Sequence, residues 1–589
     1  MHYTRHFILI VCVLAAAALS AQTPQKEQTE KDTTLTRNVR IERNYTPELA
    51  PQKRINADLP TTQPTVHKVQ PNYSNYSIQL APTTQSLPLE PIESTNYTRE
   101  KPKDGFLRLG TGVLWTWLID FWYPALNNAD GYFDLYLHHD GILTPHTNHL
   151  KSKQLFNTSF GFNFNKKFDV GQLYLQADYR NQWFNYYGKD SLHAPTHKGF
   201  SYLNHAQSSV PLDSILPPHQ SLNRGNITLG FRSYERTGTG WTYDAALSYR
   251  LLGTTSKVQE HQLRALAMAD YAMDANLLDL KFAFSGYFYT TRPYNGQMPY
   301  KWRNNAIVSI MPAYIFRWDN LNLRLGLKTH LSFNKGQFFC ISPDVQVDYT
   351  LATIVNFYGG VTSDYHINSL WNVLDENRYY AIDCPISANT NIPIDIFAGF
   401  KVRPLNGLMI DANLHYRLQY NSMFYYNHGY YNTDSTRYDY SNTFKADYAR
   451  CGYLAASARI SYNYNERWMV YTKVQYNNWQ VPDSIKAWHK PAWEISLGGE
   501  GRIWKGLSAN AAIHFLSACN TRLGDTPTAQ IAKIPEIWDL NLGANYRFKH
   551  WTMFGQINNL LGFGKMNYQN WYGYKSLGIN ILIGATIEF

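Results

Sequence analysis

Beyond its amino terminus the chain has no run of apolar residues long enough to cross a membrane as a helix, which takes about 20 in a row. That excludes a helical transporter. Cysteine is scarce, 5 in 589 residues. Cys12 falls in the amino-terminal apolar stretch, and Cys340, Cys384, Cys451 and Cys519 never stand in CxxC spacing. A zinc ribbon is thereby excluded and no disulfide framework is given, although one bridge between two loops stays open. No basic stripe accompanies the net charge of +10, so no nucleic-acid partner is expected; the charge suits a surface facing anionic lipid head groups. The chain has no G-x-S-x-G nucleophile motif. Gly238-Thr239-Gly240 is not followed by Lys-Ser/Thr, which makes it a turn and not a phosphate loop. No enzyme activity, cofactor or metal is expected.

What the chain does have is aromatic residues at 15%, with 45 Tyr and 16 Trp, beside a mean hydropathy of −0.41. Length alone would suggest several soluble domains. A transmembrane β-barrel needs apolar residues only at alternate positions, so it reads as large, aromatic and hydrophilic at once. Residues 1–21 have the form of a secretory signal. Arg5 and His6 precede the apolar stretch Phe7 to Ala18, and Ser20-Ala21-Gln22 offers a small-residue cleavage site. No Cys follows that site, which argues against lipid anchoring.

Residues 22–104 are rich in Gln, Thr, Pro, Asn and Lys and show little periodicity, as an extended periplasmic segment would. Within them Val39, Ile41 and Tyr45 belong to a short stretch, ended by Pro47 and Pro51, in which apolar and charged residues alternate. It suits strand addition to the sheet edge of a periplasmic protein partner, and the segment 22–104 as a whole is expected to be either periplasmic or lumen-filling.

From Gly105 onward, alternation is the rule. Leu173, Leu175, Ala177 and Tyr179 share one face, against Gln172, Gln176, Asp178 and Arg180. The same pattern recurs in 321–331, 408–418 and 538–548. Ten tight turns punctuate it, from Asn127-Asn128-Ala129-Asp130 to Phe548-Lys549-His550, and longer connections are expected at 188–223, 366–391, 421–446 and 519–535. Ten turns give about 22 strands if Gly105 to Tyr123 holds two. The expected fold is all-β: a transmembrane antiparallel barrel over 105–589, with short periplasmic turns, long extracellular loops and a short amino-terminal periplasmic segment.

The final strand alternates to the last residue, with Ile583, Ala585, Ile587 and Phe589 on one face. An aromatic end to such a strand resembles the signal read by the barrel assembly machinery. Phe554-Gly555-Gln556-Ile557-Asn558-Asn559-Leu560-Leu561, then Trp571-Tyr572-Gly573-Tyr574 and the last strand, resembles the end of TonB-dependent receptor barrels. Residues 39–47, 53–56 and 105–110 resemble receptor-like outer-membrane proteins. The resemblance implies 22 strands, a location in the bacterial outer membrane and a transport role. It also implies a globular plug before the barrel, for which residues 22–104 are short; a reduced or absent plug is expected.

Candidate site residues follow from strand parity. Asp178, Arg180, Arg324, Lys328, Asp411, Arg417 and Arg547 fall on the polar face and would line the lumen. His138-His139-Asp140 looks like a chelating or acid/base cluster, but strand neighbours point to opposite faces, so the two His cannot act together. Trp115, Trp117, Phe121, Trp122 and Tyr123 read as a membrane-surface belt, and Phe424 to Tyr431 as a similar girdle running into a packed loop. Expected partners are outer-membrane lipids, lipopolysaccharide and the assembly machinery. Three functions fit: a transport or channel component of unspecified substrate, a structural or assembly scaffold bound to a periplasmic partner through 22–104, and a passive porin.

Overall fold

The computed structural model describes residues 105–589 except 144–152, 187–199, 203–218, 235–239, 294–301, 352–353, 433–436, 465–466 and 563–568. The expected signal, the segment 22–104 and Val39, Ile41 and Tyr45 lie outside the described residues.

Alternation of apolar and polar residues at period two leaves one face of every strand hydrophobic. Closing the sheet on itself buries the polar face inside and removes both edges. Twenty-five strands form one sheet, all neighbouring wall strands antiparallel. Three of them, Phe200–Tyr202, Cys519–Leu523 and Gln530–Ile534, lie in connections; the other 22 make the wall. The wall closes where Phe106–Gly112 pairs with Asn580–Glu588, from Phe106↔Glu588 to Gly112↔Leu582.

Gly105 to Tyr123 does hold two strands. Phe106–Gly112 turns back into Thr116–Asn128 through Leu114 and Trp115, both in the left-handed region at φ 61 and 52. The count is therefore even, and both ends of the barrel come to the same rim, where the Phe589 N–H donates to the Gly105 carbonyl at 3.1 Å. The strand ends that the ten expected tight turns join all lie at that rim. The opposite rim carries the long connections, but among the described residues three there are also short: 113–115, 254–257 and 334–338.

Wall height is uneven. Most strands have 10 to 16 residues, enough at about 3.3 Å each to cross a tilted apolar band. The three strands at and beside the closure, Phe106–Gly112, Trp551–Asn558 and Asn580–Glu588, have only 7, 8 and 9. Leu408–Asn432 and Arg437–Tyr464 have 25 and 28. Their register runs from Leu408↔Tyr462 to Asn432↔Arg437, so 421–446, expected as a loop, is mostly a ladder that stands above the rim as a pillar.

The outer face is apolar and exposed, with Leu247, Ile583 and Trp504 at 54%, 60% and 61%. Trp115, Trp117 and Tyr123 stand on that face as the belt reading expects, whereas Trp122 pairs with Phe106 and stacks on it. Phe424, Tyr425 and Tyr426 depart from the girdle reading. They are buried within the pillar and the connections packed on it.

Candidate functional site

The connection 367–389, between Val355–His366 and Thr390–Leu405, does not stand away from the barrel. Ser369 caps a seven-residue helix, α1 (Leu370–Glu376), accepting a hydrogen bond from the Asn372 N–H at 3.2 Å. Leu370, Val373 and Leu374 of α1 are fully buried. They join one apolar cluster with Phe184, Leu222, Leu252 and Val258 on one side and Tyr425, Phe444 and Tyr574 on another. The first group lies on the fifth to eighth wall strands, and Tyr425 and Phe444 lie on the fifteenth and sixteenth. In a ring of 22 those positions are nearly half a circumference apart. A cluster that touches both must cross the mouth, so 367–389 is a roof.

Polar contacts lock the roof to the wall. The carboxylate of Glu260, itself wholly buried, accepts from the backbone N–H of Leu370 at 2.6 Å and of Trp371 at 3.3 Å, the free donors at the start of α1. Asp375 meets the guanidinium of Arg180 at 2.7 Å and that of Arg224 at 3.2 Å. The rings of the roof answer the same groups: Arg224 and Arg250 lie 5.5 and 5.7 Å over the Trp371 ring. On the pillar side, Tyr425 Oη and Lys490 Nζ both reach the Glu376 carboxylate at 2.9 Å. The Ala381 N–H donates to the Phe444 carbonyl at 2.8 Å, and the Phe444 N–H to the Tyr379 carbonyl at 3.1 Å. Lys335, in the short connection 334–338, donates to the Asn368 carbonyl at 2.8 Å; burial pushes its ammonium down to about 8.

His489 ties the roof's neighbours together. Its Nδ1 lies 2.8 Å from the Tyr425 carbonyl and its Nε2 accepts from the Tyr572 N–H at 3.3 Å, so these partners assign a neutral ring protonated at Nδ1. Burial pushes its pKa down to about 3. The Trp571 ring lies 5.0 Å away and the Phe444 ring 5.3 Å. Further up, Asp525 takes hydrogen bonds from the His428 ring and Lys445, both at 2.9 Å. Burial would raise the Asp525 pKa, but these donors outweigh it and hold the group below the usual carboxylate range.

Of the residues read from parity, one reaches the roof: Arg180, through Asp375. Asp178 accepts from Asn226 at 2.7 Å on the neighbouring strand. Arg324 bridges Asp279 and Asp344 at 2.6 and 2.7 Å, and Lys328 donates to Thr362 at 2.8 Å. Asp411 accepts from Tyr358 at 2.8 Å, Arg417 donates to Asp395 at 2.8 Å and Arg547 to Glu588 at 3.0 Å. These are ties between adjacent or next-but-one wall strands, not one convergent site. Ile583, Ala585 and Ile587 share the outer face of the last strand, and the Phe589 ring lies 6.3 Å from that of Tyr123.

His138 stands between Asp120 and Asp140, bonded to both, while His139 pairs with Thr158. Among the described residues no three His, Cys, Asp or Glu side chains are arranged to hold a metal ion, and Cys340, Cys384, Cys451 and Cys519 are unpaired. Sequence reading missed Glu260, Arg224, Trp371, Asp375 and His489. Glu260 and Arg224 do stand on polar faces, but nothing local says that a connection more than 100 residues away will need them.

No family model matches the sequence, and no curated protein does. Solved structures do match. The siderophore receptor PirA from Acinetobacter baumannii aligns over 83% of this chain and 81% of its own, with a TM-score of 0.60 at 10% identity. The ferric-catecholate import receptor Fiu from E. coli K12, in its closed form, aligns over 83% and 82%, at 0.58 and 11%. The FrpB iron transporter from Neisseria meningitidis aligns over 83% and 82%, at 0.59 and 9%. The chain has the barrel fold of these receptors. The likeness to TonB-dependent receptor barrels read from its last 40 residues therefore holds for the receptor-type barrel as a whole. At these identities it is a likeness of fold.

Proposed function

We propose that this receptor-type barrel is an outer-membrane transport component whose mouth is gated by the roof 367–389. The observation that carries the reading is the apolar cluster joining wall strands nearly half a circumference apart through α1. In this reading residues 1–21 are removed on export, the tight turns face the periplasm and the long connections face outward. Asp178, Arg180, Arg324, Lys328, Asp411, Arg417 and Arg547 line the lumen. A roofed mouth speaks against a passive porin.

Opening the roof would carry Asp375 away from Arg180 and Arg224 and bare three guanidinium groups, Arg250 included, against two carboxylates, Glu260 and Asp178. The opened mouth is then electropositive and favours anionic solutes, because charge at a constriction sets ion selectivity. The substrate itself is left open by this reading.

Single-channel conductance in planar bilayers tests it. Three forms are compared: the mature protein, a version starting near Gly105, and a full-length version with 370–386 replaced by a Gly-Ser linker. Steady anion-selective conductance on removing the roof supports the gate. Conductance that appears only on removing 22–104 makes that segment the plug and α1 a bystander. If every form stays closed, the scaffold reading takes over, and a pull-down with residues 22–104 becomes the experiment to do.

A further inference from the structure

The outer face of the barrel carries a groove of about 600 Å³ on its second to seventh strands. Its walls are Phe160, Tyr179, Ile227, Tyr249 and Leu251, and its floor is Gly225. Gly225 pairs with Tyr179 on one side and Leu251 on the other, so a row of bulky outward side chains is broken at one position. A Cβ built on Gly225 meets nothing within 4 Å, so the groove is open space and not a backbone pinch.

Directly above lies the next outward row, and it is polar. The His139 ring pairs with Thr158 at 2.8 Å; Asn181 donates to Ser221 at 2.8 Å and to Asn223 at 2.9 Å, and Tyr179 Oη donates to Asn223 at 2.6 Å. Among the described residues no Lys, Arg, Asp or Glu belongs to this shelf. Thr158 stands ten residues along its strand from Phe168 at the tight-turn rim, roughly 25 Å in height once the strand is tilted, which is the height of the apolar band of such barrels. The shelf therefore sits where hydrocarbon gives way to head groups, and the groove hangs below it.

We propose that this groove and shelf are a binding site for one lipid of the outer leaflet, an acylated glycolipid. One acyl chain fills the groove over Gly225, and its amide or hydroxyl-bearing linkage bonds the amides and hydroxyls of the shelf. The volume falls in the range of sites that hold small ligands. An uncharged shelf selects linkage and sugar groups over a phosphate, which would call for Arg or Lys. A second protein is disfavoured because the groove is set into a face that hydrocarbon already covers. The inference rests on the outer-membrane location but not on the gate.

The test is native mass spectrometry of the full-length protein after extensive detergent exchange, for wild type, Gly225→Trp and Gly555→Trp. Gly555 is also open above its Cβ position and stands on the outer face of a strand away from the groove, which makes it a matched control. The expected result is one retained glycolipid on wild type and Gly555→Trp, with at least a tenfold loss on Gly225→Trp. Asn181→Ala should weaken retention without changing the fold. Equal retention in all three overturns the proposal, as does loss from both Trp variants. A retained glycerophospholipid overturns the choice of lipid, and a dimer that Gly225→Trp dissolves makes the groove a protein interface. Heat-modifiability on gels confirms that each variant is a folded barrel, and it separates failure here from failure of the barrel itself.

Discussion

The Glu260 carboxylate holds the backbone N–H of Leu370 at 2.6 Å, across 110 residues of chain. It is the charge-assisted bond that starts α1, and nothing else among the described contacts satisfies both that donor and the next. Glu260→Gln keeps the shape and removes the charge. A hydrogen bond to a charged group contributes about 1.5–3 kcal/mol net, so the roof should open roughly tenfold or more often. Hydrogen exchange of the 370–376 amides measures this, with those of the wall strands as unchanged reference.

Asp375 serves two unequal partners. Arg180 is 44% exposed in its side chain and Arg224 is 1%. An exposed ion pair contributes about 0–1 kcal/mol, so Arg180→Ala should barely change roof opening. Asp375→Ala leaves Arg224 buried without its carboxylate, at a cost of about 1–3 kcal/mol. Exchange rates in the two variants should therefore differ several-fold in that order. Equal effects would show that Arg224 finds another partner.

Acid should loosen the roof through His489. Its folded pKa, pushed to about 3, lies below the ordinary value of 6.5. The opened form thus takes up a proton first, and stability is whole above pH 6.5 and lost as pH falls toward 3. The slope approaches about 1.4 kcal/mol per pH unit once the opened form is protonated. Protection of the 571–574 amides between pH 7 and 4 should show it, and His489→Gln should flatten the curve.

Phe589 closes the barrel at the rim, its N–H on the Gly105 carbonyl. Deleting Phe589 should lower the fraction of chain that becomes heat-modifiable in membranes, without lowering the fraction exported. Gly105, at φ 149 with the Phe589 ring 2.8 Å from any added Cβ, should tolerate Leu poorly by the same measure.

The wall was legible because it obeys a local rule. Leu173 to Tyr179 and Ile581 to Phe589 declare their faces by parity alone, and the tight turns declare their ends. The even count follows from the loops, since an odd one would put the long connections on the periplasmic side; the turn itself, at Leu114 and Trp115, carries no sequence signal. The roof was not legible in that way. Leu370, Val373 and Leu374 form less than two turns of helix, too short to show a period, and their partners Phe184, Leu252 and Phe444 are distant in sequence. The pillar was hidden for a related reason. Phe424, Tyr425 and Tyr426 put aromatics on both faces, because connections packed on the pillar bury both.

The strands at the closure share seven residue pairs, while the ladder between Leu408–Asn432 and Arg437–Tyr464 has 22. A barrel has no free edge, so it can be entered or pulled apart only by parting one of its ladders, and the shortest parts at least cost. Phe106–Gly112 has only seven pairs on each side, to Thr116–Asn128 as well as to Asn580–Glu588, so this first strand is the zip of the barrel. Parting it from both neighbours breaks fewer pairs than freeing any other wall strand, so it is where the ring opens with least loss.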